Sequence, residues 1–452
     1  MARSMRLARD MYIVLLLHLA WALMAVPVVT RQQRVPASAA TWLALILLLP
    51  VAGTLLYILA GYRRNGPAAD CPACRGDRLE QIIAHGCGTR PTRYNRVGLL
   101  HNGNNAFTAL IASLQRATRS IHMEYYIIRD DRIGHTIAEI LIRKARAGLE
   151  VRVIYDAVGS WRLSRKTLRR MHDAGVETAA FEPVRFPWFT TRVTHRNHRK
   201  IVVTDGKVAY LGGINIAKYY LDGDYMGKWR DEHLRVEGDA VADLQRLFIA
   251  DWARVRGESL DIRRYIAPHG IRRRLPIQLA WAEEGPSRLT IADAFASAIV
   301  RAHRTVRISS PYFLPPAMLL DALRLAARGG VRVMIPSCSD SPFTDLISDS
   351  YIGDLLDAGV ELYRYDNGFL HAKLLIVDED TASVGTANMD YRSLLDNLEV
   401  TAFIRDRSVV RALSATYDDD LASCRRIARE TWRPAAWRRT LGDALRLVSP
   451  LM

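Results

Sequence analysis

One short pattern occurs twice in this chain, and the repetition restricts it to folds built from two like halves. The first copy is His198-Arg199-Lys200-Ile201-Val202-Val203-Thr204-Asp205, followed by Gly212, Gly213 and Asn215. The second is His371-Ala372-Lys373-Leu374-Leu375-Ile376-Val377-Asp378, followed by Gly385, Thr386 and Asn388. In both, Lys, Asp, Gly and Asn stand at +2, +7, +14 and +17 from the His. The apolar run between Lys and Asp predicts a strand, on which residues two apart share a face. A single His-x-Lys is ordinary surface decoration, but five matched positions in two places are not. Two such half-sites facing each other would make one pocket with two imidazoles, two ammoniums and two carboxamides.

The repeat extends beyond the motif. Residues 105–128 and 291–314 each read as a helix followed by a strand. ILIRKARAGLEVRVIYDAVGS and LRLAARGGVRVMIPSCSDS each read as a helix, a glycine stop and a β-branched strand. Asp173-Ala-Gly-Val-Glu177 recurs unchanged as Asp357-Ala-Gly-Val-Glu361. Alternating helices and strands predict an α/β fold in which a mixed sheet is covered by helices. The expected layout is an N-terminal membrane segment at 1–64, a linker at 65–95, a first domain at 96–265 and a second at 266–452. The halves differ in one place: Asp173 to His198 is 25 residues, but Asp357 to His371 is 14. The extra segment carries Phe186, Pro187, Trp188 and Phe189, either packed on its own domain or forming an apolar lip at the pocket mouth.

The half-sites suit phosphate chemistry. Imidazole titrates near neutrality, so one histidine can attack phosphorus while the other passes a proton to the leaving alkoxide. Lys200 and Lys373 would stabilise the non-bridging oxygens, with Asn215 and Asn388 donating to the same atoms. A nucleophilic imidazole needs its far nitrogen held by an acceptor; Asp231 and Glu399, each on the strand after its half-site Asn, are the candidates. Asp205 and Asp378 belong to the motif and count among the catalytic candidates, although their place at a strand end suits an orienting role. No metal and no cofactor are expected. His195 and His198 are at helix spacing for a metal, but the local pattern is a strand, and Arg196, Arg199 and Lys200 would repel a cation. His101, His122 and His303 are read as structural. Cys71, Cys74, His85 and Cys87 leave two readings open, a small zinc knuckle or incidental thiols.

Residues 12–29 and 41–61 are apolar runs of about spanning length joined by a short loop, which predicts a transmembrane helical hairpin. Arginines 3, 6, 9, 63 and 64 flank the pair and outweigh Arg31 and Arg34 in the loop, so both ends and the soluble part are expected in the cytoplasm. The net charge of +16 favours an anionic partner, either nucleic acid or a membrane surface. The hairpin favours the membrane, since a nuclease gains little from such an anchor. Five scattered cysteines argue against a disulfide framework. Residues 431–452 are basic, with Trp437, Leu441 and Leu445 spaced for one helical face that either lies on a membrane or closes the second domain.

The doubled HxK(x4)D(x6)G(x2)N resembles the phospholipase D superfamily, and within it the bacterial cardiolipin synthases. The likeness also rests on the two-span N-terminus, Tyr125-Tyr126-Ile127, Trp229-Arg230-Asp231, Ser310-Pro311-Tyr312 and the closing Ser449-Pro450-Leu451. It implies a pseudo-dimeric sandwich with one site between the halves. It implies a multi-pass protein of the bacterial inner membrane that acts on phospholipids and not on nucleic acid. It further implies exchange through a phosphohistidine, with His198 as nucleophile and His371 as general acid, two phosphatidylglycerols giving cardiolipin and glycerol. Asp231 and Glu399 match the carboxylates that support the histidines. Gly213 stands where many relatives have Ser. Two other readings remain: a phospholipase D-type hydrolase or nuclease of the same superfamily, and a basic membrane-tethered binding protein, which the intact double motif argues against.

Overall fold

The β-branched and apolar runs that the sequence places after each glycine stop form strands buried on both faces. The computed structural model describes residues 2–30, 36–58, 76–183, 195–283 and 289–446. The first half contributes β1 (Thr92–His101), β2 (Ser120–Tyr125), β3 (Glu150–Asp156), β4 (Glu177–Phe181), β5 (Lys200–Thr204), β6 (Val208–Gly212), β7 (Trp229–Arg230) and β8 (Glu232–Gly238). The second contributes β9 (Arg274–Ala282), β10 (Val306–Ser309), β11 (Val331–Pro336), β12 (Glu361–Tyr365), β13 (Phe369–Leu370), β14 (Leu374–Val377), β15 (Thr381–Gly385), β16 (Glu399–Ile404) and β17 (Cys424–Ile427).

Fifteen of these strands form one sheet. From the middle outward, β1-β8-β6-β5-β2-β3-β4 in one half is matched by β9-β16-β15-β14-β10-β11-β12 in the other, with β17 added at the edge. The halves join through antiparallel β1 and β9, where Thr92 faces Ile277 and Tyr94 faces Arg274. In each half the outer three strands are parallel and the inner ones antiparallel, as helical crossovers alternate with hairpins. The repeated Asp-Ala-Gly-Val-Glu is the turn from crossover helix to outer strand. Gly175 and Gly359 take φ of 90° and 91° there, a left-handed cap that an L side chain disfavours.

Strand β5 shows how the core is shared. Val202 packs on one face with Phe107 and Leu110 of the helix Asn102–Arg116. Ile201 and Val203 point to the other face, into a cluster that also takes Leu374, Ile376 and Val400 from the second half. One apolar core therefore spans both halves, which ties their stability together.

The stretch expected as linker carries structure. The helix Arg78–Cys87 is capped by Asp77, whose carboxylate accepts the Glu80 amide at 3.0 Å. Its Leu79 and Ile83 enter the second-half core. A Cβ on Gly86 would sit 1.8 Å from Thr290 Oγ1, so this helix lies tightly against the helix Thr290–Val300. Its partners lie far along the chain, beyond the reach of a local reading.

The N-terminal apolar runs form the helices Ala2–Thr30, Pro36–Leu48 and Pro50–Leu56. The second run breaks at Pro50, which has no amide hydrogen to continue the helix. Val29, Trp42, Ile46 and Tyr57 pack together between them, and Trp21 donates to Thr54 at 2.8 Å. Among the described residues no helix is long and apolar enough to cross a membrane. Phe186, Pro187, Trp188 and Phe189 of the insertion lie outside the described residues. At the other end, the helix Ala436–Arg446 packs on the helix Pro342–Asp357 through Gly442 and sets Arg446 4.0 Å over the Tyr351 ring. Trp437 and Leu441 remain exposed on its outer side.

Candidate active site

The two motif histidines precede their strands rather than lie in them: β5 starts at Lys200 and β14 at Leu374. Their backbones are used by the opposite half. The His198 amide donates to Leu398 O at 2.9 Å, and the His371 amide donates to Arg230 O at 2.7 Å. Each acceptor is the residue just before a candidate carboxylate. In the same register β13 pairs in parallel with β7, and Asn197 bridges to Leu398. The pairing therefore delivers each carboxylate to the histidine of the other half. Glu399 lies 2.9 Å from His198 Nδ1, and Asp231 lies 2.6 Å from His371 Nδ1. With Nδ1 held, Nε2 of each ring is left for the cavity that both histidines line. That cavity measures about 1080 Å³ and has walls from both halves, including Asn215 and Asn388.

The histidines are not equivalent. His371 sits in an aromatic cage, with ring centroids 5.1 Å from Trp229, 5.7 Å from Phe369 and 5.9 Å from Tyr220. The Tyr220 hydroxyl is 3.2 Å from His371 Nδ1 and also receives the Asn215 Nδ2 hydrogen at 3.2 Å. His198 meets the edge of Tyr126 at 4.8 Å. The backing differs as well. A Cβ at Gly213 would come within 2.2 Å of Asp231 Oδ1, whereas Thr386, its counterpart, donates its hydroxyl to Glu399. The short carboxylate needs the glycine, which accounts for the missing Ser at position 213.

Burial first, then the lysines, shifts the protonation of the whole group. His198 is pushed down to about 4 by burial and by Lys200, and His371 to about 3 by burial and Lys373. Both imidazoles are therefore neutral at neutral pH. Burial also lowers Lys200 to about 7 and Lys373 to about 8, with each ammonium depressed or supported by the charges around it. Burial opposes ionisation of Asp231, but Lys373 and His371 beside it hold its carboxyl below the ordinary value. Lys200 Nζ donates to His198 O at 2.7 Å, and Lys373 Nζ stands 2.8 Å from His371 Nδ1. A phosphodiester anion placed between the rings would favour their protonated forms, so substrate charge and site charge are coupled.

Asp205 and Asp378 are not brought to this centre, which corrects their inclusion among the catalytic candidates. They lie at the far ends of β5 and β14 with φ of 54° and 53°. Asp205 accepts the amides of Thr118, Arg119 and Ser120, and Asp378 those of His303, Arg304 and Thr305. Each fixes the turn entering the neighbouring strand. Strand polarity separates them from the histidines, because five extended residues cover about 16 Å.

Sequence reading missed the residues that hold the centre from outside the five matched positions. Arg199, fully buried, donates to Asp251 and, at 3.0 Å, to Ala282 O. Asn197 reaches Glu124 through its side chain and Asp156 through its amide at 3.0 Å. Tyr220 carries no local signal beyond following Asn215 by five residues. Of the zinc-knuckle set, Cys71 and Cys74 lie outside the described residues. Cys87 is buried with its thiol against the Trp281 backbone, and burial pushes it up to about 12. His122 is enclosed between Arg152 and Gln245, a structural place.

Comparison with known proteins decides the family. A model described as cardiolipin synthase, PLD-like domain, matches residues 110–252 and 295–421. The chain belongs to this cardiolipin synthase, PLD-like family. A second model, the phospholipase D–nuclease N-terminal region, matches residues 19–61. A cardiolipin synthase from Halalkalibacterium halodurans is 37% identical over 94% of this chain and 91% of its own length. The major cardiolipin synthase of Bacillus subtilis is 33% identical over 95% of this chain and 97% of its own. Among solved structures, phosphatidylserine synthase of Haemophilus influenzae aligns with a TM-score of 0.63 at 15% identity, over 83% of this chain and 99% of that one; at this identity the likeness is one of fold. The family's doubled domain corresponds to the two halves of the sheet described above.

Proposed function

We propose that this chain is a phosphatidyltransferase that joins two phosphatidylglycerols into cardiolipin and glycerol. The observation that carries the reading is the pair of imidazoles on one cavity, each with Nδ1 held by a carboxylate from the opposite half. The names of its relatives support cardiolipin as the product. In the first step the bound phosphodiester anion holds His371 in its protonated form, His198 Nε2 attacks phosphorus, and the glycerol oxygen leaves with the proton from His371, giving a phosphatidyl-histidine. In the second step His371 takes the proton from a hydroxyl of another phosphatidylglycerol, which attacks phosphorus and frees His198. Lys200, Lys373, Asn215 and Asn388 stabilise the non-bridging oxygens, and Glu399 and Asp231 hold the rings. His198 is assigned the attack because its ring is less crowded than the caged His371 and neighbours the longer connection in its half.

The proposal extends to placement. The N-terminal helices anchor the enzyme as a two-span hairpin in the bacterial inner membrane, with the halves at 96–265 and 266–452 on the cytoplasmic side. Leu16, Leu17, Leu23 and Met24 on the first helix and Leu48 and Val51 on the next two are exposed, an apolar surface suited to lipid. The arginine flanks support the orientation. A tethered site also raises the local concentration of the lipid alcohol against water.

The test is incubation of purified protein with phosphatidylglycerol vesicles in a chelator. Cardiolipin with an equal amount of glycerol is expected; phosphatidic acid alone would make the protein a hydrolase. His198→Ala should be inactive, and a phosphatidyl adduct mapping to His371 instead would reverse the two roles.

A further inference from the structure

Cardiolipin carries two phosphates, and the histidine centre handles one. During the second step the acceptor lipid's own phosphate lies three carbons from its attacking oxygen, so the cavity must receive a second anion beside the first. We propose that Arg129 and Lys218 form that second phosphate subsite, for the phosphodiester of the acceptor phospholipid; this rests on the transferase reading above.

Both residues line the catalytic cavity. The Arg129 amide donates to Ile216 O at 2.9 Å, and Asn215 Oδ1 accepts from the Ile127 amide at 3.2 Å, so the two segments run side by side next to the phosphate centre. Nη1 of Arg129 is enclosed without a hydrogen-bond partner, and among the described residues neither cation has a carboxylate within ion-pair distance. The nearby acids are already engaged. Asp131 accepts the amides of Ile133, Gly134 and Lys218, and Asp130 accepts from His135 and Thr167. A half-buried guanidinium with an unused donor is a costly arrangement unless an anion completes it.

The pseudo-symmetry sharpens the assignment. The bond from the Arg129 amide to Ile216 O is repeated by that from the Leu314 amide to Met389 O, also 2.9 Å. Lys218 stands three residues after Asn215, and Tyr391 three after Asn388. The counterparts of the cation pair are thus Leu314 and Tyr391, which line the opposite wall. At these matching positions one wall of the cavity carries a cation pair and the other an apolar and an aromatic residue. That difference orients the acceptor: its phosphate lies on the Arg129 side, leaving the other wall to the departing glycerol.

Two reactions separate this subsite from the catalytic centre. Exchange of labelled glycerol into phosphatidylglycerol uses a neutral acceptor with no phosphate. Cardiolipin formation uses an acceptor that has one. Both rates are measured in the same detergent–phosphatidylglycerol micelles for the full-length protein and for Arg129→Gln, Lys218→Gln and Arg129→Lys. The ratio of cardiolipin formation to glycerol exchange is expected to fall on the order of tenfold in each Gln variant, the usual loss for a charge-assisted contact, and to be largely kept by Arg129→Lys. Lys218 is exposed, so its variant tests the subsite even where Arg129→Gln folds poorly. An unchanged ratio, with both rates lowered together or neither lowered, overturns the proposal. Parent protein that exchanges glycerol and makes no cardiolipin would remove the transferase reading beneath it, and the subsite with it.

Discussion

At the residue scale, the centre is a set of ionisable groups held in unusual states by burial. Glu399 and Asp231 set the tautomer of the rings, so Glu399→Gln and Asp231→Asn should each lower kcat for cardiolipin formation by roughly 10³ to 10⁴, the cost of a misoriented catalytic imidazole. Melting temperatures should move little, because the substitutions are isosteric. The histidines also make stability depend on pH. Their folded-state values of about 4 and 3 lie below the ordinary 6.5, so the unfolded chain binds protons first as pH falls. Their contribution is intact above pH 6.5 and is lost as pH falls from there through about 4. The full loss is on the order of 3 kcal/mol for His198 and about 5 kcal/mol for His371, the latter complete only near pH 3. Urea titrations from pH 7.5 to 4.5 should show a steeper loss for the parent protein than for His198→Gln/His371→Gln; parallel curves would place the titrating groups elsewhere.

At the scale of elements, the decisive feature is where strands stop. His198 and His371 sit just outside β5 and β14, and this frees their amides for the opposite half. The loop before β5 is held by a buried ionic group that the second half lacks, since Ala372 replaces Arg199. Asp251→Asn should leave the Arg199 charge short of its partner and destabilise the protein by about 3 kcal/mol or more, read as a lowered urea midpoint. Activity measured below the transition should fall too, because the same loop carries His198. The aspartates of the motif illustrate how a strand misleads. Asp205 and Asp378 repeat as faithfully as the histidines, yet they cap turns at the other end of each strand. Repetition reports a shared structural need as readily as shared chemistry.

At the scale of the molecule, two halves make one site, one sheet and one shared core. Residues 96–265 and 266–452 produced separately should each lack cardiolipin synthesis, because each histidine then loses its carboxylate. Calorimetry of the intact protein should show a single cooperative transition for the two halves, as expected when β1 pairs with β9 and a common cluster joins them. Two well-separated transitions would show that the shared core contributes little coupling.

The sequence by itself determined the duplication, the alternating α/β pattern and the histidines and asparagines that line one common cavity. These are local or periodic properties, written in spacing and hydrophobic pattern. The repeat also implied that two half-sites meet. Tertiary structure alone decided which carboxylate serves which histidine, because the crossing of His198 to Glu399 and His371 to Asp231 depends on strand register between segments about 200 and 140 residues apart. It decided that the supposed linker holds a core helix, whose partners Thr290 and Trp281 are equally remote in sequence. It also decided the protonation of the centre, since a lysine or histidine has an ordinary pKa until neighbours from both halves strip its water.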